Sequence, residues 1–131
     1  MKEVLNFLTA SKVFYLATIS GDQPHVRPMG VVMEYDGKLA FCTSNQKDMY
    51  QQLTTSPKVE ICCIDADCNT LRICGQAVFC TTEEAQQKAL ETMPALGRMY
   101  SVGDGKFEIF YLANARAVCQ TMSGEKKPLT V

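Results

Sequence analysis

The chain has a single histidine, His25, and no C-x-x-C pair among its seven cysteines. Zinc sites need closely spaced cysteine and histidine ligands, so this spacing argues against one, and no metal site is expected. No run of about 18 apolar residues exists to cross a membrane. Met1 to Ala10 is too short for a secretory signal and carries Glu3 and Asn6. A net charge of −1 gives no long-range field toward nucleic acid or anionic lipid, so any bound anion must be held by local groups. Neither G-x-x-x-x-G-K-[ST] nor G-x-G-x-x-G occurs, which removes the P-loop and the Rossmann dinucleotide site.

What remains is ordinary for one globular domain spanning residues 1–131: 47% apolar and 21% charged. The cysteines, Cys42, Cys62, Cys63, Cys68, Cys74, Cys80 and Cys119, are odd in number and sit mostly inside strand-like runs. They read as small buried hydrophobes of a protein in the reducing cytoplasm.

Val4, Leu5 and Leu8 share one helical face, so a short helix is expected over Lys2 to Ala10. Val13 to Ser20 is rich in β-branched and aromatic residues and ends in the turn chemistry of Gly21, Asp22, Gln23 and Pro24. A second strand, His25 to Tyr35, meets the two-residue hairpin signal Asp36–Gly37, and Lys38 to Cys42 returns. A helix over Lys47 to Thr55 stops at Ser56 and Pro57. Val59 to Ile64 and Leu71 to Thr81 follow as strands joined by the turn Asp65 to Asn69. Gly75 marks a bend, a bulge or a close approach in the longer one. Thr82 before Glu83 and Glu84 signals a helix running to about Met93. Phe107 to Thr121 forms the last strand or pair of strands, and Gly124 to Val131 a polar tail. About six mostly antiparallel strands with three short helices between them fit a small, closed or nearly closed β-barrel.

Two stretches carry chemistry. In "LAFCTSNQKDMYQQL" a strand runs into Thr43, Ser44, Asn45, Gln46 and Lys47 before a helix begins near Gln46. A helix N-terminus offers unpaired N–H groups and partial positive charge, three side chains can add donors, and Lys47 can add a full charge. The alternative is simple capping, because Thr, Ser and Asn are preferred N-caps. In "HVRPMGVVM" Pro28 argues for an edge or a bulge and Gly30 removes a side chain. Alternation puts Arg27, Met29 and Val31 on one face and Val26, Pro28 and Val32 on the other. A planar ligand can lie against such a strand; the alternative is a kinked edge whose Arg27 makes a surface salt bridge.

Taken in order, "FYLATIS", "PHVRPMG", "LAFCTSNQK" and "SPKVEICCI", behind a short N-terminal helix, resemble the FMN-binding split β-barrel proteins of the pyridoxamine 5'-phosphate oxidase-like superfamily, in its short nitroimidazole-reductase-like or general-stress-protein-like branch. The likeness spans most of the chain and is strongest from about Val13 to Ala77; order and spacing carry it. It implies a six-stranded antiparallel split β-barrel and a homodimer with two FMN sites at the subunit interface. Arg27, Pro28, Met29 and Gly30 then lie along the isoalloxazine ring, and Thr43, Ser44, Asn45, Gln46 and Lys47 take the phosphate. Arg72 and Gly75, and less directly Tyr111, are the candidates supplied by the partner chain.

The implied activity is FMN-dependent redox chemistry on a small molecule. The alternative is a non-catalytic protein that binds or stores FMN, deazaflavin or haem. Pyridoxamine phosphate oxidases proper are longer and carry additional basic and C-terminal residues for the substrate phosphate, for which "GEKKPLTV" has no clear counterpart, so that activity is not expected. His25, beside a turn, reads as a solvated residue rather than a haem ligand. No catalytic acid, base or nucleophile is named by the sequence.

Overall fold

Asp36 and Gly37 both adopt positive φ, 52° and 75°, the geometry a two-residue hairpin demands of its turn. Around this hairpin the computed structural model, which describes residues 1–131, orders its elements as follows. The helix α1 spans Lys2–Ser11, and β1 (Phe14–Ser20), β2 (Gln23–Met29), β3 (Met33–Tyr35) and β4 (Lys38–Ser44) come next. Then follow α2 (Asp48–Thr55), β5 (Lys58–Ile64), β6 (Thr70–Phe79) and α3 (Glu83–Thr92). A tight helical turn, Pro94–Arg98, precedes β7 (Phe107–Gln120) and β8 (Lys126–Leu129).

The strands form one antiparallel sheet in the order β2-β1-β5-β6-β7-β4-β3, with β8 on β7. The fourteen-residue β7 makes the sheet curl. Its first residues pair with β4 and its last with β8, while β6 runs beside most of its length. Where it changes partner, the β6–β7 register slips between Cys74 and Gln76, and Asn114 opposite takes φ 53°. A bulge of this kind bends a strand and increases its twist, which lets a flat pairing close toward a barrel. The extra residue of the bulge lies on β7, between Ala113 and Arg116, and Gly75 sits opposite it in close approach to Leu112 and Ala113.

The architecture is the antiparallel split barrel that the sequence indicates, with eight strands where about six were expected. One added strand arises because the run His25 to Tyr35 breaks at Gly30, leaving residues 30–32 outside any strand. The other is β8, inside the stretch read as a polar tail. Pro28 lies on the edge strand β2, opposite Tyr15, where its missing donor costs no ladder hydrogen bond. No helix is long and apolar enough to cross a membrane.

Phe14, Phe41 and Phe110 fill the barrel, with ring centroids 5.7 and 5.5 Å apart along the series. Fully burying such a side chain stabilises the fold by about 1.5–3 kcal/mol. Helix α1 adds Val4 and Leu8 to the same core. A second cluster joins Ala40, Phe107 and Ile109 to Ala85 and Ala89 of α3 and to Leu96. Strand β4 thus buries both faces, Leu39 and Phe41 toward the barrel and Ala40 toward α3. Its C-terminal end emerges where the barrel, α2 and the turn after α3 converge.

Candidate functional site

At that convergence lies a cleft of about 150 Å³. Pro28, Met29, Gly30 and Val31 form one wall, Cys42, Thr43 and Lys47 a second, and Leu96, Met99 and Tyr100 a third. The first wall is the end of β2, where Pro28 and Met29 still pair with Tyr15 and Phe14, continued by the unpaired backbone of Gly30 and Val31. The second exists because β4 runs past its pairing with β3 before α2 begins.

Helix α2 starts at Asp48 with Lys47 at its N-cap position, and no side chain caps it. The capping alternative for the polar run therefore does not hold. Ser44 Oγ accepts instead from the Gln46 amide at 3.2 Å. Asn45 Nδ2 donates to Gly105 O (2.9 Å) and Glu108 Oε2 (3.0 Å), tying the junction to the start of β7. Thr43 is 4% exposed, and its hydroxyl is the one buried side-chain polar atom without a partner. Leaving such a group unsatisfied costs about 1–3 kcal/mol, so a ligand oxygen beside it would be favoured. Lys47 is exposed and has no carboxylate within ion-pair distance; the two ion pairs of the chain are Arg72–Glu60 and Lys127–Glu3.

Arg27 lies on the inward side of β2, one residue from the cleft wall. Its guanidinium donates to Thr18 Oγ1 at 2.7 Å, to Gln52 Oε1 at 2.6 Å and to Leu16 O at 3.3 Å. The surface salt bridge considered for it is not formed. Burial lowers its affinity for the proton, yet a guanidinium stays charged, so a half-buried cation sits here without a counter-charge.

Two further titratable groups face the cleft. Burial pushes the Cys42 thiol up to about 11, with Lys47 opposing the shift. Burial likewise raises the Tyr100 phenol; Cys42 adds to the rise and the Ser44 side chain offsets part of it. Both remain protonated at neutral pH.

The structure thus gathers Pro28, Met29, Gly30, Thr43 and Lys47 around one cleft, with Arg27 adjacent. Ser44, Asn45 and Gln46 build the junction behind it. Arg72, Gly75 and Tyr111 lie elsewhere on the chain. Arg72 pairs with Glu60 at 3.2 Å in a groove that also holds Cys74, Arg116 and Lys126. Gly75 lies opposite the β7 bulge, and Tyr111 lies under the Lys38 ammonium, 5.0 Å from its ring centroid. His25 borders a separate polar hollow of about 380 Å³ with Asp48, Gln51 and Gln52. Leu96, Met99, Tyr100 and Gln52 were not foreseen. Pro94 to Gly105 has no periodicity to mark it, and its contribution is purely tertiary.

The model of the family described as pyridoxamine 5'-phosphate oxidase matches residues 1–117. Among solved structures, a NimC/NimA family protein from Clostridium acetobutylicum is 39% identical with a TM-score of 0.95, over 100% of this chain and 92% of that one. A protein from the same organism related to general stress protein 26 is 15% identical with a TM-score of 0.75, over 99% and 93%. A haem-binding protein from Mycobacterium smegmatis is 18% identical with a TM-score of 0.73, over 92% of this chain and 53% of its own. No curated protein matches the chain. On the match to nearly its whole length and the 39% identical relative, the chain belongs to the pyridoxamine 5'-phosphate oxidase family.

Proposed function

We propose that this protein is a cytoplasmic, FMN-binding oxidoreductase acting on a small molecule as a homodimer. The observation that carries the reading is the pairing, on one cleft, of an unmatched Lys47 ammonium with a buried Thr43 hydroxyl that has no partner. A phosphate monoester meets both needs, accepting from the hydroxyl and neutralising the cation.

The volume supports the rest of the arrangement. Sites that enclose drug-sized ligands run to about 300–1,000 Å³. A cleft of about 150 Å³ suits a phosphate and the start of its chain. Three fused rings must then lie outside it, along Pro28, Met29 and Gly30 and close to Arg27, and need a second surface to cover them. One face of the sheet leaves Tyr15, Val26, Ile64 and Val118 exposed, an apolar area of the kind that marks an interface. A second copy seated there would bring Arg72, Gly75 and Tyr111, remote from the cleft of their own chain, to that of the partner.

Bound FMN would supply the redox chemistry. Lys47 and Thr43 would hold its phosphate, Arg27 would present positive charge to the ring edge that gains electron density, and the Met29–Val31 wall would exclude water. Purified protein incubated with FMN and desalted should retain flavin absorbance, and Lys47→Ala should weaken binding by about 1.5–3 kcal/mol. A colourless wild-type protein defeats the proposal.

A second reading, non-catalytic flavin or haem binding, draws on the absence of any carboxylate or imidazole from the cleft lining. Repeated reduction of the bound flavin by a nicotinamide nucleotide and reoxidation by a small acceptor would exclude it. A Soret band after haem titration, or retained flavin that is never turned over, would support it.

A further inference from the structure

Tyr100 reaches the cleft from a segment held more firmly than a surface loop requires. Its ring stacks on Phe107, centroids 4.5 Å apart and planes at 13°, and its amide donates to Leu96 O at 2.9 Å. The buried Gln86 clamps the following loop from both sides. Its Nε2 donates to Phe107 O at 2.8 Å, and its Oε1 accepts from the Gly103 amide at 2.9 Å. Asp104 collects the amides of Ser101, Lys106 and Phe107. The phenol is therefore pre-positioned, without dependence on a ligand to order it.

Its hydroxyl lies within hydrogen-bonding reach of the Ser44 side chain behind the cleft, and the residue lines the cleft together with Cys42, Lys47 and Thr43, whose hydroxyl has no partner. We propose that Tyr100 is a ligand-binding residue of the anion subsite, donating its phenolic hydrogen to an oxygen of a phosphate monoester that Thr43 and Lys47 also hold. A tyrosine phenol is protonated in the neutral range and burial raises it further, so the donor is present there throughout. The phosphate class rests on the cofactor reading above; the role of Tyr100 as an anion donor stands on the cleft itself.

The test compares wild type with Tyr100→Phe, which keeps the ring stacked on Phe107 and removes only the hydroxyl. The probes are FMN, riboflavin with the same rings and no phosphate, and inorganic phosphate. The substitution should weaken FMN about tenfold or more, the scale of a hydrogen bond to a charged group, and leave riboflavin unchanged. Equal losses for both flavins, or no loss for FMN, overturn the proposal. If neither flavin binds wild type, the cofactor reading falls and phosphate alone decides. Broadening of its phosphorus resonance by wild type, reduced in the variant, upholds the subsite; no broadening, or equal broadening, ends it. Should the variant unfold, labelled wild type decides: of five tyrosine ring signals, that of Tyr100, assigned through its neighbours, must shift as phosphate is added. An unmoved Tyr100 signal overturns the proposal.

Discussion

Arg27 Nη2 donates to Gln52 Oε1 across 2.6 Å, and Thr18 Oγ1 donates to the same oxygen at an equal distance. Edge strand β2 is thereby tied to α2 through a neutral acceptor that leaves the guanidinium charge unspent. Gln52→Glu keeps both acceptor positions and adds the missing counter-charge. Its carboxyl would titrate below the ordinary glutamate value because Arg27 favours the ionised form. The added stability is therefore present above that ordinary value and lost as pH falls through the depressed one. The gain should be small, about 0–1 kcal/mol for a partly exposed pair. On the proposed placement of Arg27 beside the rings rather than the phosphate, affinities for FMN and riboflavin should fall together. Unchanged flavin binding in Gln52→Glu would remove Arg27 from the site.

Gly75 sits opposite the bulge of β7, where a side chain would meet the neighbouring strand. A methyl group there would stand 3.2 Å from Leu112 Cβ and 3.3 Å from Ala113 O, and neither is the end of a flexible side chain. Gly75→Ala should cost about 1–3 kcal/mol, the scale of overpacking, read as a lower urea midpoint at unchanged slope. A midpoint equal to wild type would mean the bulge yields freely and does not set the curl of β7.

Much of this was legible locally. Asp36–Gly37 demanded its hairpin, and Thr82 caps α3 by accepting from the Ala85 amide, because each signal needs only its neighbours in the chain. Strand β8 was not legible. Lys126, Lys127 and Pro128 are residues an edge strand uses to deter further pairing, and they give it the composition of a tail. The break after Met29 was also missed, since Val31, Val32 and Met33 continue an apolar run and only the fold separates them. At the site, the strand wall and Lys47 carried sequence signals. The third wall, with Met99 and Tyr100, did not, because Gln86 and Phe107 position it from elsewhere in the chain.

Asp104 gives that wall a pH dependence. Its carboxyl is held below the ordinary carboxylate value, first by the backbone amides of Lys106 and Phe107. A depressed folded value means that the stabilisation is complete above the unfolded value, about 3.9, and is lost as pH falls through the folded one. Asp104→Asn keeps an oxygen for Lys106 and Phe107 but does not titrate. Its melting temperature should change less than that of wild type between roughly pH 4 and pH 2. Identical acid limbs would show that the 101–107 turn does not contribute to acid unfolding.

Cys42 offers a readout of the cleft that requires no bound cofactor. The thiolate is the reactive form, and a thiol pushed up to about 11 is ionised at pH 7.5 to only roughly 3 parts in 10,000. Cys68, exposed in the β5–β6 turn, should therefore react with iodoacetamide well before Cys42, in a time course read by peptide mass spectrometry. Lys47 is the one charge that favours the Cys42 thiolate, so Lys47→Met should slow its labelling further. Phosphate in the cleft, by compensating the same charge, should act in the same direction. Labelling of Cys42 as fast as Cys68, or indifferent to Lys47, would mean that the ammonium does not face the cleft, and the anion subsite would lose its cation.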